Sequence, residues 1–182
     1  MGMIYLATGL VLVGAVTVLN LMLTLAVIRR LRKHEDERRQ QNFVPPESGP
    51  ETGAALPAFT AVTLAGEPVT ADSLKGRQAA LTFLSTDCSA CVMAVNDMPE
   101  FARRTGMDAS QMLVVIAGDE ADAHRMAEPL AGIATVVVEE TGGPLSALYS
   151  IRATPTTVLA DPDGTVTYAE AGTNPVLEGL PA

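Results

Sequence analysis

The chain holds two cysteines, Cys88 and Cys91, and both fall where a buried apolar run hands over to a helical pattern, in "LTFLSTDCSACVMAVNDM" (81–98). "AALTFLS" (79–85) reads as a strand covered on both faces. From Ser89 to Arg104 apolar residues return at three-to-four spacing, as Cys91, Val95, Met98 and Phe101 or Ala102. A strand end followed at once by a helix start places Cys88 at the first turn and Cys91 one turn later on the same face. Free N–H groups and the positive end of the helix dipole stabilise a thiolate there. That placement makes Cys88 the nucleophile and Cys91, the more buried of the two, the residue that resolves a mixed disulfide.

Other uses of the pair fit less well. A tetrahedral zinc site needs four ligands, and only His34 and His124 could join the cysteines, so no metal is expected. A purely structural disulfide across so short a loop removes little chain entropy. Two unrelated core cysteines are the plain alternative.

After Ala79, apolar runs alternate with amphipathic ones, the order that a parallel sheet with crossover helices needs. "QMLVVIAG" (111–118) reads as a strand, "DEADAHRMAEPLA" (119–131) as a helix capped by Asp119, and "ATVVVE" (134–139) as a third strand. "GGPLSALYSI" (142–151) is a short helix with Pro144 in its first turn. "TTVLAD" (156–161), the turn "DPDG" and "TVTYAEAG" (165–172) form an antiparallel hairpin, and "FTAVTLAGEPVTADSL" (59–74) forms a smaller one around Gly66. The fold class is α/β: a βαβαβ unit, then a ββ hairpin, with an N-terminal hairpin extension. "NPVLEGLPA" at the end reads as a short helix.

The composition, 48% hydrophobic but only 4% aromatic with a net charge of -9, carries an apolar excess that the first thirty residues account for. From Ile4 to Ile28 the chain has no formal charge. At about 1.5 Å per residue that run crosses a hydrocarbon core of about 30 Å. "MGM" lacks the basic n-region of a cleaved signal and "RRLRK" follows the run, so the segment reads as an uncleaved, single-pass membrane anchor. Arg29, Arg30, Arg32, Lys33, Arg38 and Arg39 all follow it, a bias that by itself puts the C-terminal domain in the cytoplasm. His34 to Pro57, charged and then rich in Pro, Gly and Glu, reads as a tether. Beyond it, from Ala54, six bases face 16 acids with no basic stripe, which argues against nucleic acid as a partner.

The segment from "LPAFTAVTLAGEPVTADSLKGRQAALTFLSTDCSAC" through "RATPTTVLADPDGTV" resembles the membrane-anchored thioredoxin-like (TlpA/redoxin) family. "LTFLSTDCSAC" and "AEAGTN" are most similar to its methylamine-utilisation (MauD-like) accessory proteins, which act in disulfide formation in a periplasmic dehydrogenase. The resemblance spans Leu56 to Asn174 and implies a thioredoxin-like fold. It also implies that Pro155 is cis, with Thr154 before it, and faces the cysteine pair. The expected division is then an N-terminus (1–3), a transmembrane helix (4–28), a basic juxtamembrane segment and tether (29–55) and a thioredoxin-like domain (56–182). The implied activity is thiol-disulfide exchange with protein thiols or disulfides, with an electron donor or acceptor still to be identified and no cofactor beyond the Cys88–Cys91 pair. The family implies an extracytoplasmic domain, against the charge rule, and that placement is adopted as the expectation.

The sequence also departs from the pattern. Asp87 stands where a Trp precedes the first cysteine, and Ser89-Ala90 separates the pair. A carboxylate beside Cys88 disfavours its thiolate, which predicts a less acidic nucleophile and a less oxidising pair. Asp87 could instead serve as an exposed proton acceptor, or be a solvated or capping residue. The buried acid of thioredoxins is replaced by Thr82, and the glutamate three residues after the motif by Ala94. Two rival functions follow. A peroxiredoxin-like thiol peroxidase would use Ser85 near Cys88, yet position 81 is Leu where such a site wants proline. A non-catalytic module would hold a metal or partner without turnover.

Overall fold

The computed structural model describes residues 48–172 together with Gly2, Gly14 and Thr17, which are helical. Apart from Gly14 and Thr17, the expected span (4–28) lies outside the described residues, as do the tether up to Glu47 and the expected C-terminal helix. Among the described residues no helix is long and apolar enough to cross a membrane. The chain divides into two units, Met1–Val44 and Pro45–Ala182, and the fold that follows is that of the second.

An antiparallel pair, β1 (Thr60–Val62) and β2 (Pro68–Thr70), leads into β3 (Ala79–Ser85), helix α1 (Ser89–Thr105), β4 (Met112–Ala117) and helix α2 (Glu120–Ala127). Then come β5 (Thr135–Glu139), helix α3 (Pro144–Leu148), β6 (Thr156–Ala160) and β7 (Val166–Ala171). The main sheet runs β5-β4-β3-β6-β7, with β3, β4 and β5 parallel and β6 and β7 antiparallel to their neighbours. The βαβαβ unit with its closing hairpin is therefore present, and β3 is the central strand.

The apolar run of β3 follows from having both faces covered. Side chains alternate across a strand. Ala80 and Leu84, with Val114, Ile116 and Leu159, pack on Cys91, Val95, Met98 and Phe101 of α1. Leu81 and Phe83, with Leu113, Val115 and Val158, pack on Phe59, Leu145 and Tyr149. Tyr149 is 1% exposed, its ring centroid 5.2 Å from that of Phe83 and 6.1 Å from that of Phe59. Its hydroxyl donates to the Pro57 carbonyl at 3.3 Å, and burial pushes the phenol well above its ordinary range.

Chain punctuation accounts for the helix limits. α1 stops at Gly106, whose φ of 69° is the left-handed cap and whose N–H bonds the Ala102 carbonyl. Asp119 caps α2 by accepting from the Ala121 and Asp122 N–H groups. The expected helix 119–131 is split, because Pro129 cannot continue the α ladder and Glu128–Leu130 tightens into a 3-10 turn. The tether expected through residue 55 gives way to structured chain by Ser48. Gly53 donates to the Val166 carbonyl at 2.7 Å, Val166 to Ala54 at 2.8 Å and Leu56 to Gly164 at 2.8 Å. The start of β7 would otherwise present unpaired ladder groups at the sheet edge.

Replacing Phe83 with Ala removes a ring that is 1% exposed and packed on Tyr149. Equilibrium urea unfolding of Phe83→Ala is expected to show a loss of about 3–5 kcal/mol, and a loss below about 1 kcal/mol would contradict this packing.

Candidate active site

Cys88 and Cys91 form a disulfide with Cα atoms 5.3 Å apart. Cys88 is the N-cap of α1, in extended conformation, and its Sγ accepts from the Cys91 N–H at 3.2 Å. Side-chain capping is normally the work of an oxygen; here a sulfur occupies the place where free amide dipoles converge. Cys91 is fully buried, and its Sγ accepts from the Ser85 N–H at 3.5 Å, whereas Cys88 is only half-buried. The two sulfurs are therefore unequal: one meets solvent at a helix end and the other faces the core.

The loop that carries Cys88 hangs from the ends of two strands. Thr86 donates to the Ala117 carbonyl at 3.0 Å, continuing the β3–β4 ladder, and Cys88 donates to the Ser85 carbonyl at 3.2 Å. Gly118, with φ of 145°, lets this loop close: a Cβ there would overlap the Thr86 side chain, with Thr86 Cβ and Cγ2 both 2.9 Å away. Across the disulfide, the Thr154 carbonyl oxygen lies 3.3 Å from Cys88 Sγ. The Thr154–Pro155 peptide bond is cis, Pro155 is buried and Thr154 is half-buried.

Cys88, Cys91, Thr154 and Pro155, separated by more than sixty positions in the chain, thus meet at one end of the sheet. Asp87 is adjacent but exposed. Its backbone N–H donates to Ser85 Oγ at 3.3 Å, and its carboxylate makes no hydrogen bond or ion pair among the described residues. Cys88, not Asp87, caps the helix. Thr82 is buried on the α1 face of β3 and registers against Thr157 of β6, while Ala94 is buried in α1. Among the described residues the buried carboxylate is Glu139, on the opposite face. It accepts from the Leu145 N–H at 2.8 Å, the Ser146 N–H at 2.9 Å and the Ser146 hydroxyl, and so caps α3. An acid three residues before a Gly-Gly-Pro helix start is the sequence signal for this cap.

Residues 51–179 match the redoxin family. The chain belongs to the redoxin family. The comparison with curated proteins finds no match. Among solved structures this redoxin is similar to the thioredoxin domain of a thiol-disulfide oxidoreductase from Bacteroides vulgatus, at 22% identity and a TM-score of 0.56, over 66% of this chain and 89% of that one. It is similar to a putative thiol:disulfide interchange protein DsbE from Chlorobium tepidum, at 23% identity and a TM-score of 0.55, over 70% and 90% of the two chains. A secreted Mycobacterium tuberculosis disulfide oxidoreductase homologous to E. coli DsbE matches at 23% identity and a TM-score of 0.53, over 65% and 84%. These likenesses establish the thioredoxin-like fold of the redoxin domain.

Gly118→Ala and Gly66→Ala both place a Cβ at positive φ, but nothing lies within 4 Å of the second. Unfolding measurements are expected to give about 1 kcal/mol for Gly66→Ala and at least about 2 kcal/mol for Gly118→Ala. Equal losses would mean that the Thr86 contact contributes nothing.

Proposed function

We propose that this redoxin is a membrane-anchored thiol-disulfide oxidoreductase acting on protein substrates. The observation that carries this reading is the asymmetry of the pair: a half-buried Cys88 sulfur at a helix N-cap, 3.3 Å from the Thr154 carbonyl, bonded to a fully buried Cys91. In the reducing direction the Cys88 thiolate attacks one sulfur of a substrate disulfide. A Cys88–substrate disulfide forms, and the second substrate sulfur leaves as a thiolate and takes a proton. The Cys91 thiolate then attacks Cys88 Sγ, which releases the first substrate sulfur and closes Cys88–Cys91. Two electrons pass to the substrate, and a dithiol-bearing partner returns them. The same steps reversed oxidise a substrate dithiol.

The Thr154–Pro155 segment, irregular and adjacent to Cys88, suits an extended substrate chain pairing as a short added strand. Asp87, exposed beside the nucleophile, serves as a proton acceptor open to solvent. Its position beside Cys88 supports a pair less oxidising than the helix end alone would give. The uncharged run Ile4–Ile28 supports the anchor. The similarity to methylamine-utilisation accessory proteins supports an extracytoplasmic domain acting on exported proteins, where disulfides persist.

Titration of the protein against glutathione is expected to show one reversible two-electron couple in the wild type and none in Cys88→Ser or Cys91→Ser. In substrate incubations Cys91→Ser should accumulate a mixed disulfide through Cys88. Failure of the wild type to form an internal disulfide would end the exchange mechanism and turn attention to peroxide turnover and metal content. The compartment has its own test: a reporter enzyme active only outside the cytoplasm, fused after Gln41, is expected to be active, and an inactive reporter would reverse the topology.

A further inference from the structure

Ser48 stands more than a hundred positions before the Thr154 loop, yet it is the side chain that holds that loop's backbone. Its Oγ accepts from the Arg152 N–H at 3.0 Å and the Ala153 N–H at 3.3 Å, and lies 2.8 Å from Thr156 Oγ1. Thr156 Oγ1 in turn donates to the Ala153 carbonyl at 2.7 Å. Ser48 Oγ also lies 3.5 Å from the Ala153 carbonyl, but Thr156 is closer to it, and with two lone pairs on Ser48 Oγ taken by amides the set is best satisfied with Thr156 donating to Ala153 and Ser48 donating to Thr156. Ser48 is 4% exposed and Thr156 0%, so water is not available to replace either hydroxyl.

Beyond these bonds the segment is held at its far end by Gly172, whose N–H donates to the Pro155 carbonyl at 2.8 Å. Arg152 to Pro155 belong to no helix or strand, and the segment leaves α3 through Ser150, a non-glycine residue at φ 55°. Gly49 N–H donates to the Ser150 carbonyl at 3.4 Å. Gly49 has φ of 104°, and a Cβ there would sit 3.1 Å from Ala169 Cβ, so the turn that seats Ser48 favours glycine at 49.

We propose that Ser48 is a positioning residue for disulfide exchange: its buried hydroxyl latches the Arg152–Thr156 segment and thereby sets the Thr154 backbone against Cys88 for an incoming peptide. This deepens the exchange reading and rests on it. Ser48 touches neither cysteine, so the latch governs how a substrate chain is aligned, not the sulfur chemistry itself. A small disulfide with no backbone to pair does not use the aligned loop; a peptide disulfide does.

The test uses the full-length, reduced protein and two probes. One is a short extended peptide whose single cysteine carries a nitrothiobenzoate mixed disulfide; the other is the symmetrical dithiobis-nitrobenzoate. In the peptide reaction the Cys88 thiolate forms a disulfide with the peptide sulfur, nitrothiobenzoate leaves as the coloured thiolate, and Cys91 then displaces the peptide thiol. Ser48→Ala is expected to slow the peptide reaction about tenfold while changing the symmetrical reagent's rate by less than about twofold. Thr156→Val should act alike, the double variant should be no slower than either single one, and Thr156→Ser should keep the wild-type ratio. An unchanged peptide rate, an equal fall with both probes, or additive effects would each overturn the latch. Thr156→Val against Thr156→Ser decides the matter should Ser48→Ala not fold. A wild type that releases no nitrothiobenzoate from either probe would defeat the exchange reading; an active wild type with an indifferent Ser48→Ala defeats the latch alone.

Discussion

The free amide groups at the start of α1 organise this domain. A helix start leaves N–H groups without intrahelical partners, and they must be met by something. Here the Cys88 sulfur meets one of them, accepting from Cys91 N–H at 3.2 Å. To bring a sulfur to that point the preceding strand must end at Ser85, the loop must fold back on Ala117, and the helix must bury Cys91, Val95 and Met98 against β3 and β4. Each requirement constrains a different part of the chain, and the fully buried β3 run satisfies the largest of them by anchoring the loop in the middle of the sheet.

From that constraint the unequal exposure of the two sulfurs follows without further devices. Cys88 belongs to the cap, where geometry keeps a side chain at the surface; Cys91 belongs to the helix face, where packing draws it in. A nucleophile needs access and a stabilised anion, and a resolving thiol needs proximity and protection. The site does this without the buried acid that thioredoxins place beneath the pair. Thr82 occupies that strand position, and the buried carboxylate the domain does possess, Glu139, is held by three donors at the start of α3 on the far face. Asp87 stands on the exposed side of the pair.

The chain from Ser48 to Leu56 is structured where a tether was expected. Rich in Gly, Pro and Glu, it has the composition of a spacer, yet it pairs with the start of β7 and inserts a hydroxyl under the Thr154 loop. A spacer ends where the sheet edge begins to accept hydrogen bonds. Composition reports the average hydration of a segment and not the partners waiting for it, so a tether composition extends here into paired chain.

What the sequence determined by itself was local. The apolar run Ala79–Ser85, the three-to-four spacing after Ser89, the cap at Asp119 and the Asp-Pro-Asp-Gly turn each express steric and burial rules that act within a few residues, and the elements stand close to where those rules put them. Pro129 acts as locally, ending the α ladder before the expected limit at residue 131. The Cys88–Cys91 spacing and its strand-to-helix setting were legible for the same reason. Tertiary structure decided what meets across the chain: Thr154 against Cys88, Gly118 under Thr86, and Ser48 beneath Arg152 and Ala153. Such contacts depend on strand order and register, which place residues tens to a hundred positions apart at one end of a sheet. No pattern within a short window carries that information.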